Sequence, residues 1–116
     1  MGMDMYINWE EDLADTPTFC SRFLAEAFDY ELNRFFKKKG CYFFNKVAFP
    51  EDGEEPIFMT PEEFNKDYEK TIQIILADES FLSADGKENL IKELEPLKEI
   101  IQYAKKNNTK IGLSVC

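Results

Sequence analysis

The segment Thr60-Pro61-Glu62-Glu63 combines a hydroxyl N-cap, a first-turn proline and a glutamate at the capping-box position, and it fixes a helix start more firmly than any other local signal in the chain. Phe64, Tyr68, Ile72, Ile75 and Leu76 then recur at helical spacing until Asp78-Glu79-Ser80 ends the run. Ser83 caps a further helical pattern bearing Leu90, Ile91, Leu94, Leu97, Ile101 and Ala104. Pro96 lies inside that pattern and cannot donate a backbone hydrogen bond, so the pattern predicts a kink or two helices meeting there. Asn107-Asn108 terminates it, and 110–116 (KIGLSVC) reads as a closing strand.

The N-terminal half is read in the same way. Met3 to Trp9 fits a pleated, half-buried strand, and Glu10 to Asp15 leaves it as an acidic loop. Thr16-Pro17 resembles a cap and first turn, and Phe19, Phe23, Leu24, Ala27, Phe28, Leu32, Phe35 and Phe36 predict a long amphipathic helix over about 17–38, closed by a left-handed Gly40. Residues 41–49 (CYFFNKVAF) read as a central strand and Pro50 to Pro56 as an acidic turn with Gly53 at positive φ. Ile57 to Met59 can return as a short strand. The expected fold is α+β: a small three- to four-stranded sheet, parallel pairing allowed, with about three helices packed on one face. Trp9, Tyr42 and Phe44 are candidates for a partly open second face, with burial in the core as the alternative. Phe28, Phe36, Ile75 and Leu94 are expected in the core.

At 116 residues the chain accommodates one domain and not two, and no internal repeat or linker divides it. Eleven phenylalanines supply the apolar mass that a disordered acidic segment lacks. No apolar run is long enough to span a bilayer, no basic residue precedes Arg22, and Tyr6 stands where an acylation signal needs Ser or Thr, so a cytoplasmic protein is expected.

The chain contains no histidine, which removes Ser-His-Asp and Cys-His catalysis. Three cysteines without a CxxC pair argue against a disulfide scaffold or a zinc site. No nucleotide, zinc or hydrolase motif occurs, and the acidic loop does not match the calcium-loop pattern. Adjacent carboxylates such as Glu10-Glu11 or Asp78-Glu79 point apart instead of facing one cleft. Lys37-Lys38-Lys39 suits the negative end of a helix; Cys41 reads as a buried structural thiol and Cys116 as the exposed one. The expectation is a non-enzymatic protein with no metal and no cofactor.

The net charge of −9 is regional. Residues 1–15 carry five acids and no base, residues 47–86 carry eleven acids and two bases, and the stretches between and after are net positive. Such a field repels phosphate backbones and anionic lipid and attracts cationic partners; solubility alone is the competing explanation. Glu10, Glu11, Asp12, Glu51, Asp52, Glu54 and Glu55 are therefore the candidate partner-binding residues, with a basic protein as partner and neither nucleic acid nor membrane contacted directly. An acidic α+β body, these two patches and the helix-then-strand ending (IIQYAKKNNTKIGLSVC) resemble the small immunity proteins that neutralise bacterial nuclease toxins. The likeness is one of general type and transfers no single residue. It implies clustered acids meeting the Lys and Arg groups of a nuclease site. A phage-type inhibitor of a host defence protein, a nucleic-acid mimic and an adaptor subunit are the alternatives, the mimic being disfavoured by the net-positive helix between the acidic segments.

Overall fold

The computed structural model describes all residues except 1–3, 28, 29 and 42, so the expectations for Met3, Phe28 and Tyr42 lie outside the described residues. The centre of the sheet is the pair β1 (Met5–Trp9) and β4 (Ile111–Val115), antiparallel with Met5 opposite Val115 and Trp9 opposite Ile111. Asp4 and Cys116 exchange both backbone hydrogen bonds just beyond it, at 2.9 and 3.1 Å. Two-residue strands flank this pair: β2 (Cys20–Ser21) antiparallel to β1, and β3 (Val47–Ala48) parallel to β4, in the order β2-β1-β4-β3. The sheet is mixed and the fold is α+β.

Pleat alternation puts Ile111, Leu113 and Val115 on one face with Met5, Ile7 and Trp9. That face meets the helices, where the Trp9 ring contacts Tyr103 edge-on at 5.3 Å between centroids. Trp9 is thus half-buried on the helix-facing side of the sheet and does not stand on its opposite face. The opposite face carries Tyr6, Asn8, Gly112 and Ser114, with the Asn8 amide donating to Ser114 Oγ at 2.5 Å. The chain around Ile57 crosses it so closely that β4 is buried on both sides.

The helical layer follows its caps. In α3 (Pro61–Ala77) Thr60 Oγ1 accepts the Glu63 N–H, and in α4 (Ala84–Leu94) Ser83 Oγ accepts the Gly86 N–H. Pro96 separates α4 from α5 (Leu97–Asn107), which ends on a left-handed Asn108. Phe36, Phe64, Ile75, Leu94, Leu97 and Ile100 are all at most 1 % exposed, so the core lies between these helices and the sheet.

Three expectations are corrected. The long first helix begins only at α1 (Arg22–Ala27) and continues in the sequence as α2 (Tyr30–Lys38), because Cys20 and Ser21 pair with β1 and the Ser21 hydroxyl, not Thr16, accepts the Leu24 N–H at 3.0 Å. Residues 41–49 do not form a central strand. A 3-10 turn (Phe43–Lys46) leads into the edge strand β3, because Cys41 and Phe43 are buried against α3: Cys41 Sγ lies 3.2 Å from Thr71 Oγ1, and the Phe43 ring meets Phe64 edge-on at 5.0 Å. The side chain of Phe44 lies outside the description. Of Ile57 to Met59 only Met59 pairs, exchanging two hydrogen bonds with Ile111 at 2.8 and 2.9 Å.

Candidate partner-binding site

Glu10 is the last β1 residue held to β4, its N–H donating to the Lys110 carbonyl at 3.0 Å. The chain then turns away through Glu11 and Asp12, and all three acids are exposed. They rim a concavity of about 440 Å³ whose lining also includes Trp9, Leu13, Pro56 and Phe58. The wall is anchored: the Tyr103 hydroxyl donates to the Ala14 carbonyl at 2.9 Å, tying the acidic loop to α5. No lysine or arginine lines this concavity among the described residues. Exposed carboxylates beside partly exposed apolar side chains suit a cation carried on an apolar stem, as in an Arg or Lys side chain.

The second predicted patch is only partly joined to the first. Pro50–Asp52 form a 3-10 turn closed by Gly53 at φ 84°, the expected left-handed position. Glu54 is occupied within the loop, its carboxylate accepting the Phe49 N–H at 3.0 Å. Glu51 stands beside the chain terminus, where its carboxylate accepts from Cys116 Sγ at 3.6 Å. That contact, with some desolvation, holds the Cys116 thiol above its ordinary pKa, so it is protonated at neutral pH. Cys116 lies five residues along the chain from Ile111, the partner of Trp9, which at a strand's rise is about 17 Å. Glu51 and Glu10 therefore mark opposite ends of the sheet, and the chain from Glu51 to Phe58 runs from one towards the other. Pro56, next after Glu55, is where it enters the concavity. Ile57 is 48 % exposed beside it.

Of the apolar members of the site, Trp9 was a candidate for an open face from its sequence, whereas Leu13, Pro56 and Phe58 were not anticipated as binding residues. Their assembly depends on a crossing between segments about 45 residues apart, for which a linear sequence carries no local signal. A groove of about 520 Å³ between α3 and α4/α5 is lined by Tyr68, Ile72 and Ile91, where burial and then the Glu95 and Glu69 charges raise the Tyr68 pKa. Among the described residues no group of three or more Cys, Asp or Glu side chains is arranged to hold a metal ion, and no helix is long and apolar enough to cross a membrane. Lys37 and Lys38 occupy the last turn of α2, and Lys39 Nζ lies 5.9 Å from the Phe35 ring centroid. No family model, curated protein or solved structure matches the chain.

Proposed function

We propose that this protein is a non-enzymatic inhibitor of the immunity type, which binds a basic, nuclease-type toxin and blocks it through the Glu10–Asp12 concavity. The observation that carries this reading is the grouping of three exposed acids, free of ion pairs among the described residues, beside the partly exposed Trp9, Pro56 and Phe58. Protein interfaces concentrate affinity in apolar and aromatic anchors and use surrounding charge to steer encounter. Trp9 and Phe58 supply the anchors, and the net charge of −9 supplies the field. Glu51, Asp52 and Glu55 extend that field across the sheet and act as steering charges, while Glu54 chiefly shapes its own loop.

The experiment measures binding and inhibition across a panel of basic ribonuclease and deoxyribonuclease toxins, using the native chain and a Glu10→Gln/Glu11→Gln/Asp12→Asn variant over a salt series. A toxin should be inhibited by the native chain, and the variant should associate about tenfold or more slowly at low salt. Inhibition that is equally fast with the variant, or no inhibited toxin, would remove this reading.

A further inference from the structure

We infer that the groove between α3 and the α4–α5 corner is a small-ligand site for a primary ammonium compound with an apolar body, its cation held by Glu69, Glu95 and the Tyr68 hydroxyl. The groove shares no lining residue with the Glu10–Asp12 concavity, so this inference stands apart from the toxin reading. Tyr68 and Ile72 lie one turn apart on α3, with Glu69 beside them, and line one flank. Ile91 and Glu95 lie one turn apart at the end of α4 and line the other, and Lys98 stands in the first turn of α5. Main-chain hydrogen bonds brace the corner: the Glu95 N–H donates to the Ile91 carbonyl and the Lys98 N–H to the Glu95 carbonyl, both at 3.0 Å. The space between the flanks, about 520 Å³, is in the range of pockets that hold small molecules.

Tyr68 supplies the polar element that an apolar furrow lacks. It is 4 % exposed, yet its hydroxyl has no hydrogen-bond partner among the described residues, whereas a buried phenol ordinarily pairs its O–H. Asn33 Oδ1 is the one fully buried side-chain N or O atom without a partner among the described residues, so the Tyr68 hydroxyl keeps contact with solvent, and Tyr68 lines the groove. The Glu95 and Glu69 charges both act on that hydroxyl, which sets the two carboxylates around it, and with burial they keep it protonated at neutral pH. Neither acid forms an ion pair among the described residues; Glu69 accepts a 3.3 Å bond from the Asn65 amide. An ammonium group, with three donors and no acceptor, complements one hydroxyl oxygen and two carboxylates. A neutral apolar molecule would leave the hydroxyl unpaired, and an anion would meet two like charges against the single base Lys98. The half-buried Ile72 and Ile91, with the Tyr68 ring, form the apolar part of the lining and call for an apolar body on the ligand.

The test titrates the full chain with 2-phenylethylammonium and follows the Ile72 and Ile91 methyl groups by NMR. Both should shift saturably. 2-Phenylethanol, which keeps the ring and loses the charge, should bind at least about tenfold more weakly, and 3-phenylpropionate should not bind. Tyr68→Phe keeps the ring and removes the hydroxyl, while Glu69→Gln/Glu95→Gln changes exposed positions and leaves the core untouched. Each variant should weaken binding of the ammonium compound by about threefold to tenfold. The double glutamine variant carries the test by itself if Tyr68→Phe unfolds. Absence of saturable shifts at Ile72 and Ile91, equal affinity for 2-phenylethanol or 3-phenylpropionate, or unchanged affinity in the glutamine variant would each overturn the inference. Shifts of the two methyl groups that grow with protein concentration and without the amine would assign the groove to a second copy of the chain, which again overturns it.

Discussion

Gly112 and Ile57 approach so closely that a Cβ built on Gly112 would stand 2.5 Å from the Ile57 carbonyl oxygen. The obstructing atom is backbone, so a flexible side chain cannot relieve it. Gly112 is what allows the Glu54–Phe58 segment to lie on the sheet and to deliver Pro56 and Phe58 to the concavity. Gly112→Ala should therefore cost about 1–3 kcal/mol of stability by overpacking. It should also shift Trp9 fluorescence, because the wall opposite that residue moves. Denaturant unfolding of the two proteins checks the first effect, and a native spectrum indistinguishable from wild type would contradict the second.

The core expectation is sharper now that burial is known. Phe36, Ile75 and Leu94 are at most 1 % exposed and sit on three different helices. Truncation of any one to Ala should cost about 2–5 kcal/mol through lost burial and the cavity left behind, a large part of a small domain's stability. Leu76, on the same helix as Ile75 but 63 % exposed, serves as the control, and Leu76→Ala should cost less than about 1 kcal/mol. Chemical denaturation of the four variants would separate the two classes.

What the sequence disclosed was local chemistry, and what it hid was pairing across distance. Thr60, Ser83, Pro96 and Asn108 each act through neighbours within one helical turn, so their roles were legible as written. Thr16-Pro17 has the same local chemistry as a helix start but does not cap one, because a competing partner lies far away: β1 recruits Cys20 and Ser21 into the sheet. Likewise Cys41 and Phe43 have the composition of a buried strand, and burial is indeed their state, but their neighbours are Thr71 and Phe64 on α3 and not adjacent strands. The acids Glu10, Glu11 and Asp12 were legible as a patch by simple count. The apolar side chains beside them, Pro56 and Phe58, arrive through the crossing at Gly112, which has no signature in neighbouring residues.

Asp78 gives the fold an acid-sensitive corner. Its carboxylate accepts the Leu82 N–H at 2.7 Å and the Phe81 N–H at 3.1 Å, and Lys87 Nζ donates to its carbonyl. The hydrogen bond from Leu82, followed by those from Phe81 and Ser80 and by the Lys87 charge, lowers the carboxyl pKa below its ordinary 3.8 against some desolvation. A lowered folded value means that the stabilisation is fully present above pH 3.8 and is lost as pH falls from there through the folded pKa. Because the turn carries Phe81, stacked on Phe35 at 4.6 Å between centroids, its loosening should expose that ring pair. Asp78→Asn should destabilise the protein at neutral pH and remove this part of the acid dependence. Parallel stability curves for the variant and the native chain below pH 4 would show that Asp78 is not the group responsible.

The acids also differ in how they should respond to neutralisation. Glu10, Glu11 and Asp12 stand at the concavity, whereas Asp52, in the 3-10 turn, and Glu55, just after it, have exposed carboxylates with no hydrogen-bond or ion-pair partner among the described residues. Charges at the edge of an interface mainly set the association rate, while groups that become buried against a partner mainly set dissociation. Asp52→Asn/Glu55→Gln should therefore slow association with a basic toxin and flatten its salt dependence with little change in dissociation. Glu10→Gln/Glu11→Gln/Asp12→Asn should alter both. Replacing Lys37, Lys38 and Lys39 with Gln serves as the contrast: Lys37 and Lys38 occupy the last turn of α2, so loss of their charge should cost about 0.3–1 kcal/mol of stability per residue in that turn and should not slow association. Association and dissociation kinetics of the three variants across a salt series provide the check, and a large kinetic effect confined to the lysine variant would place the interface on α2 instead of at the Glu10–Asp12 concavity.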